Sequence, residues 1–239
     1  MPFDDPVPPF DLHADFWSLR FVEEICASYA VRKNVPQPYA AATDRGVMAS
    51  VYVDGGYGYA ATSDTSPDGL ADALERAARW ARATAKLSLI DSRTLPRPSP
   101  RGDYASPSLA APTPSHREIF ELLETESRGA GGDSRIVDWE ASLDVTTATH
   151  RLVTSEGGDV VQRYRFVYPS ISVTAHAEGD TQRRSLNGDR GICQQGALEI
   201  LERFGFVGSG RRIAEEALEL LAAPNCPSGV MDLCCCPTR

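Results

Sequence analysis

The sequence predicts an α+β fold: a small antiparallel sheet with a packed helix, then a further helix, an antiparallel β-meander and two C-terminal helices. Three observations predict it. Apolar and polar residues alternate over 15–34, 47–62 and much of 137–177, which is the two-residue period of half-buried strands. A stripe of small apolar residues with a capped start runs over 66–85, the pattern of an amphipathic helix. A capping box opens a second helical stretch at 115, and two apolar helical stripes lie after 190.

Residues 1–14, with four prolines in the first ten, read as an extended lead-in. Phe16, Trp17, Leu19, Phe21, Val22 and Ile25, then Tyr29 and Val31, predict two strands at about 15–24 and 26–34. Val35-Pro36-Gln37-Pro38 is expected to end the pairing, because proline offers a ladder no N–H. Val47 to Val53 makes a third strand, Asp54-Gly55-Gly56 a tight turn, and Tyr57 to Thr62 a fourth strand. The helix that follows is capped by Ser66, with Pro67 where its missing N–H does no harm. Leu70, Leu74, Ala77, Ala78, Ala81 and Ala85 form its apolar stripe, and Asp72/Arg76 and Glu75/Arg79 have the spacing of ion pairs on its outer face. Residues 15–90 therefore read as an N-terminal α+β domain.

Six prolines fall between Arg93 and Pro114, so 91–114 reads as a Pro-rich linker. Residues 115–239 read as a second α+β domain, truncated at its C-terminus. It opens with Ser115-His116-Arg117-Glu118 ahead of Ile119, Phe120, Leu122 and Leu123, a helix that Gly129 to Gly132 ends. Val137, Trp139, Ala141, Leu143 and Val145 alternate, as do Ile171, Val173, Ala175 and Ala177, with turns at Ser155 to Asp159 and Glu178-Gly179-Asp180. Helices at about 192–204 and 210–222 close the domain, and Val230 to Leu233 starts like a strand.

The chain of 239 residues carries 24 Lys and Arg against 33 Asp and Glu, a net charge of −9, which argues against a protein that binds nucleic acid by neutralising phosphates. No apolar run approaches the ~18 residues needed to span a bilayer. The start, Met1-Pro2-Phe3-Asp4-Asp5-Pro6, has neither the basic nor the apolar part of a signal peptide. A cytoplasmic protein without nucleic-acid or membrane partners is expected.

Motifs for chemistry are sparse. Gly55-Gly56-Tyr57-Gly58-Tyr59-Ala60-Ala61 contains a loose G-x-G-x-x-A, but a returning strand follows it rather than a helix, so a hairpin outweighs a phosphate loop. His13, His116, His150 and His176 are too far apart for two to sit one turn apart on a helix, and each reads as structural. Cys26, Cys193, Cys226 and the run Cys234, Cys235, Cys236 match no zinc-ribbon spacing; a soft-metal or redox site at the run is weighed against small buried side chains, and the latter is preferred. Glu23-Glu24, Asp138 with Glu140, and Glu215-Glu216 read as solvated acids, and Arg163, Arg165, Arg183 and Arg184 as a patch paired with carboxylates. Arg101-Gly102-Asp103 reads as a chance tripeptide.

The order of segments carries a resemblance. Arg45 to Tyr52 leads into Asp54-Gly55-Gly56-Tyr57-Gly58-Tyr59-Ala60-Ala61-Thr62; the capped helix follows with Leu74-Glu75-Arg76-Ala77 and Trp80-Ala81-Arg82-Ala83. After the Pro-rich stretch come Val153-Thr154-Ser155-Glu156-Gly157-Gly158, then Ala214 to Leu221 and Pro227-Ser228-Gly229-Val230-Met231-Asp232. Over roughly 15–239 this resembles the N-terminal half of the TldD/PmbA family of metalloproteases, also described as modulators of DNA gyrase. The resemblance implies that a complete family protein would continue into a helix bearing H-E-x-x-x-H, with two zinc-binding histidines and a glutamate that activates water. That motif is not in this sequence. No residue here takes a catalytic, cofactor-binding or metal role, and zinc is implied only for the complete protein. The expected function is the non-catalytic part of a zinc metalloprotease, concerned with assembly and substrate admission. The implied partners are a homologous subunit, in a homo- or heterodimer, and a peptide or unfolded protein substrate. The alternative is a stand-alone scaffold subunit that pairs with a catalytic homologue.

Overall fold

The computed structural model describes residues 6–112, 114–186, 188, 191–224, 228–230 and 232. In chain order the elements are β1 (Phe16–Arg32), β2 (Val35–Pro36), β3 (Ala40–Val53), β4 (Gly56–Thr62), α1 (Pro67–Thr84), β5 (Arg101–Ala105), α2 (His116–Ala130), β6 (Ile136–Thr154), β7 (Asp159–Ala177), β8 (Asp180–Ser185), β9 (Gln194–Gln195), α3 (Glu199–Arg203) and α4 (Ser209–Ala222). The fold is α+β. Among the described residues the strands follow the order β4-β3-β1-β6-β7-β5, with β2 beside β1 and both β8 and β9 beside β7.

Three two-residue turns fix register: Lys33-Asn34, Asp54-Gly55 and Glu178-Gly179 all have positive φ at both positions. That backbone matches the right-handed twist of the strands it joins. Two expectations change here. The first two strands are one, because β1 runs unbroken through Glu24 to Cys26. Pairing also continues past Pro36, which lies opposite Val31 next to the Arg32/Val35 pair that closes the turn. In this register Pro36 occupies a site whose N–H points away from β1, while Gln37 N–H resumes the ladder to the Ala30 carbonyl at 2.8 Å. The Pro-rich stretch likewise contains a strand: β5 has no proline between Pro100 and Pro107, and it pairs parallel to β7 from Arg101/Asp159 to Ala105/Arg163. The penultimate helix is shorter than its sequence pattern, with only Glu199–Arg203 helical.

The chain divides into two compact units, each assembled from several segments. The boundaries fall inside β1, β3, β6 and β7, so each of these strands supplies residues to both. The first unit comprises Met1–Cys26, Ala42–Leu109 and Thr146–Arg165. Its core joins Leu19, Phe21, Val47, Ala49, Val51 and Val53 of the strands to Leu70, Leu74, Ala77, Ala78 and Ala81 of α1. The alanines are required by closeness. A Cβ on Gly56 would lie 2.0 Å from the Ala81 carbonyl oxygen, and one on Gly58 would lie 2.1 Å from that of Ala77. Helix backbone thus rests directly on strand backbone. Ser66 caps the helix, its hydroxyl accepting from Gly69 N–H at 3.1 Å. Val7, Phe10 and Leu12 of the lead-in pack on the same core, Phe10 meeting Trp17 edge-on at 5.7 Å.

The second unit comprises Ala27–Ala41, Ala110–Val145 and Phe166–Arg239. Leu143, Val167, Ile171 and Val173 of its strands meet Ile119 and Leu123 of α2, Phe206, and Ile213 and Ala217 of α4. The capping box of α2 forms as its sequence predicts. Buried Glu126 of α2 accepts backbone N–H bonds from Gly208 at 2.6 Å and Gly210 at 2.9 Å, filling the N-terminus of α4. A Cβ at Gly210 would lie 2.1 Å from the Glu126 carbonyl oxygen, so the two helices also touch through backbone. Ser127, one residue on, accepts from Asn34 N–H at 3.1 Å and Trp139 Nε1–H at 3.1 Å, while its hydroxyl donates to Asn34 Oδ1 at 3.0 Å. No helix among the described residues is long and apolar enough to cross a membrane.

Two substitutions test these contacts. Gly58→Ala drives a methyl into helix backbone that cannot yield, and should cost about 3 kcal/mol or more in urea unfolding; an unchanged midpoint would contradict the packing. Glu126→Ala leaves the buried N–H of Gly210 and the part-buried N–H of Gly208 without their acceptor and should cost about 3 kcal/mol, with Glu126→Gln restoring part of the loss.

Candidate functional site

A cleft of about 690 Å³ lies in the first unit, between β5 and the β6–β7 turn. Val7, Val153 and Val161 form its apolar wall, and Arg101, Arg151 and Asp159 its polar one. Arg151 grips Asp159 with two bonds, Nε to Oδ1 at 2.9 Å and Nη2 to Oδ2 at 2.8 Å. Those hydrogen bonds hold the Asp159 carboxyl below the usual carboxylate range, against burial that works to raise it. Arg101 Nε donates to the Gly157 carbonyl at 3.0 Å, and Thr154 Oγ1 accepts from Gly158 N–H at 3.0 Å, so the turn is held from both sides. The cleft offers shape, an apolar wall and a neutralised ion pair. Binding suits it better than proton transfer, because none of the three charged groups, two arginines and a carboxylate held low, is poised to change protonation near neutral pH.

The structure gives the histidines separate surroundings. In the first unit the His13 carbonyl accepts from Arg82, and His150 lies against the Tyr164 ring at 5.9 Å with its Nε2 buried and unbonded. In the second unit His116 Nδ1 bonds the Tyr29 hydroxyl at 3.1 Å under the edge of Tyr39, and His176 Nδ1 bonds Thr181 Oγ1 at 2.9 Å. Burial, with Tyr39 nearby, raises the Tyr29 phenol above its ordinary value.

At least one acid of each pair binds arginine, which supplies 22 of the 24 basic residues. Glu23 binds Arg45; Asp138 binds Arg32 at 2.8 Å; Glu215 binds Arg211 at 2.8 Å; and Glu216 binds both Arg184 and Arg212. Burial works to raise Glu216, but the hydrogen bonds from Arg184 and Arg212 outweigh it and lower the carboxyl. In the basic patch Arg163 pairs with Asp103 at 2.7 Å, while Arg165 donates to the Ser108 carbonyl. Arg101-Gly102-Asp103 is thereby engaged as β5, with both charged side chains bound locally.

Cys26 and Cys193 form no disulfide among the described residues, and burial, then the Asp144 charge, pushes the Cys193 thiol up. Cys226 and the run Cys234, Cys235 and Cys236 lie outside the described residues, as do Met231 and Leu233 of the stretch expected to start a strand at Val230. Among the described residues no three His, Cys, Asp or Glu side chains gather to hold a metal ion. Those residues do not fit the zinc that the resemblance implies for a complete family protein. The Arg151–Asp159 grip and the Glu126 cap had no motif to announce them. The available hints were an arginine on an apolar strand opposite a turn aspartate, and Gly208-Ser209-Gly210 ahead of an apolar helical stripe.

The pairings set an acid limit. Hydrogen bonds from Arg93 and Arg135 lower Asp91 and Asp133 from 3.8 to about 2. Because the folded values are depressed, their contribution is present above the unfolded value and is lost as pH falls through the folded one. Unfolding midpoints should therefore drop between about pH 4 and about pH 2, and Asp91→Asn with Asp133→Asn should flatten that slope.

Residues 17–83 match PmbA/TldA metallopeptidase domain 1, and residues 107–221 match the PmbA/TldA metallopeptidase central domain. Among curated proteins nothing matches the sequence. Among solved structures the chain is similar to a candidate modulator of DNA gyrase from Thermotoga maritima, at 17% identity and a TM-score of 0.61, over 90% of this chain and 46% of that one. A second candidate modulator of DNA gyrase, from Bacteroides thetaiotaomicron, gives 18% identity and a TM-score of 0.60 over 86% of this chain and 46% of that one. TldE from Thermococcus kodakarensis gives 15% identity and a TM-score of 0.54 over 86% and 44%. At these identities the likeness shows the fold, and the chain spans about half the length of these relatives. The first and central domains matched in succession show that this chain belongs to the PmbA/TldD metallopeptidase family.

Proposed function

We propose that this chain is the non-catalytic part of a TldD/PmbA-type zinc metallopeptidase, acting in assembly with a homologous subunit and in admitting peptide substrate. The observation that carries this reading is where the family likeness falls. It covers the first and central domains. In this reading zinc binding and peptide-bond hydrolysis belong to the H-E-x-x-x-H region of a complete family protein. The first unit's cleft, with its apolar wall, its Arg151–Asp159 pair and the further positive charge of Arg101, suits a surface that meets peptide without cleaving it. The reading places the protein in the cytoplasm, where Cys26 and Cys193, which form no disulfide among the described residues, would stay reduced.

The test is metal analysis and casein hydrolysis on the purified chain, alone and mixed with a full-length homologue that carries H-E-x-x-x-H. The chain alone should hold no stoichiometric zinc and cleave nothing, and light scattering should detect a complex in the mixture. Chelator-sensitive cleavage by the chain alone would overturn the non-catalytic assignment. A mixture that stays separate at micromolar concentration would overturn the assembly role.

A further inference from the structure

The outer side of the α1/β4 layer in the first unit holds a groove of about 530 Å³ lined by Tyr59, Ala60, Arg76, Arg79, Trp80 and Ala83. We infer that this groove is a docking site for a short, extended, acidic peptide segment, which bridges the backbone of Tyr59 and places a carboxylate on Arg79. This site stands apart from the peptidase reading and does not depend on it.

The register defines what the edge offers. Among the described residues β4 is the outermost strand and pairs only with β3, from Val53/Gly56 to Val47/Thr62. Counting from the two-residue turn, Gly56, Gly58, Ala60 and Thr62 turn their N–H and C=O groups to β3, and Tyr57, Tyr59 and Ala61 turn theirs outward. Two contacts agree. The Tyr52 carbonyl, opposite Tyr57, accepts from Asp15 N–H at 2.9 Å instead of from β4. The outward carbonyls of Ala61 and Tyr57 are reached by α1 side chains, Arg76 Nη2 at 3.1 Å and the Thr84 hydroxyl at 2.9 Å. Tyr59 is left between them with its N–H and C=O open. An extended segment can form one reciprocal pair of backbone hydrogen bonds there, the shortest form of strand addition.

Side chains around that point select the partner. Trp80 is 62% exposed and Tyr59 59% exposed, large flat surfaces beside the open backbone. Arg76 is bonded to Asp72 as its spacing predicts, whereas the expected Glu75/Arg79 pair does not form: Arg79 is exposed and has no ion-pair partner among the described residues. In an acidic chain whose arginines are mostly paired, that open guanidinium favours a carboxylate-bearing segment. The same charge argues against a second copy of this chain. A two-fold pairing of β4 edges about Tyr59 would bring Arg79 toward its own symmetry mate, and like charges meeting across an interface are costly.

The probe is a fluorescein-labelled, acetylated and amidated heptapeptide of alternating valine and glutamate, titrated by anisotropy against the full chain. Controls are the matching valine–lysine peptide and an acidic peptide N-methylated at its central residue. We expect saturable binding of the acidic peptide that weakens at 0.5 M salt, roughly one Debye length shorter than 5 Å. Arg79→Glu and Trp80→Ala, both on an exposed helix face, should each weaken it at least fivefold, and the N-methylated and lysine peptides should bind at least fivefold more weakly. Equal binding of the lysine peptide, indifference to N-methylation, or indifference to Arg79→Glu would each overturn the proposal. So would a concentration-dependent dimer in sedimentation that Tyr59→Pro abolishes, since a second copy would then occupy the edge.

Discussion

The contact on which the first unit depends is backbone against backbone, where α1 lies on β4 at Gly56 and Gly58. Side chains at those two positions would fill space that the helix carbonyls of Ala81 and Ala77 already occupy. The alanine stripe of α1 and the glycine alternation of β4 are therefore one feature seen from two elements. Closeness also has an energetic return: it places Ala73, Ala77, Ala78 and Ala81 in full burial, which such small groups reach only when the partner surface is equally low. Other positions follow from it. With α1 seated this low, Arg76 and Thr84 reach the outward carbonyls of β4, and Trp80 and Arg79 stand beside Tyr59.

The second unit meets the same need for close helix contact with a different chemistry. Gly210 lets α4 approach α2, and the carboxylate of Glu126 fills the N–H groups that the start of α4 leaves open. A buried acid is costly alone and favourable when several N–H dipoles converge on it. The neighbouring Ser127 ties the same turn of α2 to Asn34 and Trp139, so one helical turn anchors a helix start, a hairpin turn and a strand. None of these groups is arranged to react. Their bonds are satisfied, and the carboxylates with displaced values lie below their ordinary range rather than near neutrality.

Features with local causes were legible in the sequence. The Ser66 cap, the Ser115/Glu118 capping box, the Asp54-Gly55 turn and the alanine stripe each depend on residues within one or two turns of chain. The hairpin reading of the G-x-G-x-x-A segment stands for the same reason, and the glycines have the further purpose of admitting the helix. Features with distant causes were hidden. β1 passes unbroken through Glu23 and Glu24 because its neighbours in the sheet, and not its own alternation, hold it extended. β5 forms inside a proline-rich stretch because β7 lies alongside to receive it. Glu126 reads as one more surface acid until Gly208 and Gly210 are seen 82 and 84 residues away. In the candidate cleft the turn at Ser155 to Asp159 was visible, but the pairing of Arg151 with Asp159 depends on how β6 and β7 align.

The side chains that reach over β4 carry one further consequence. A sheet edge with tyrosines and open carbonyls is the kind of template on which other chains stack into fibres. Arg76 and Thr84 occupy the carbonyls on both sides of Tyr59, so an incoming strand finds one residue of backbone to copy and then a charge or a hydroxyl in its path. Stacking requires an uninterrupted ladder, and one residue cannot nucleate it. The helix that completes the core of this unit thereby also guards its exposed border against aggregation during and after folding.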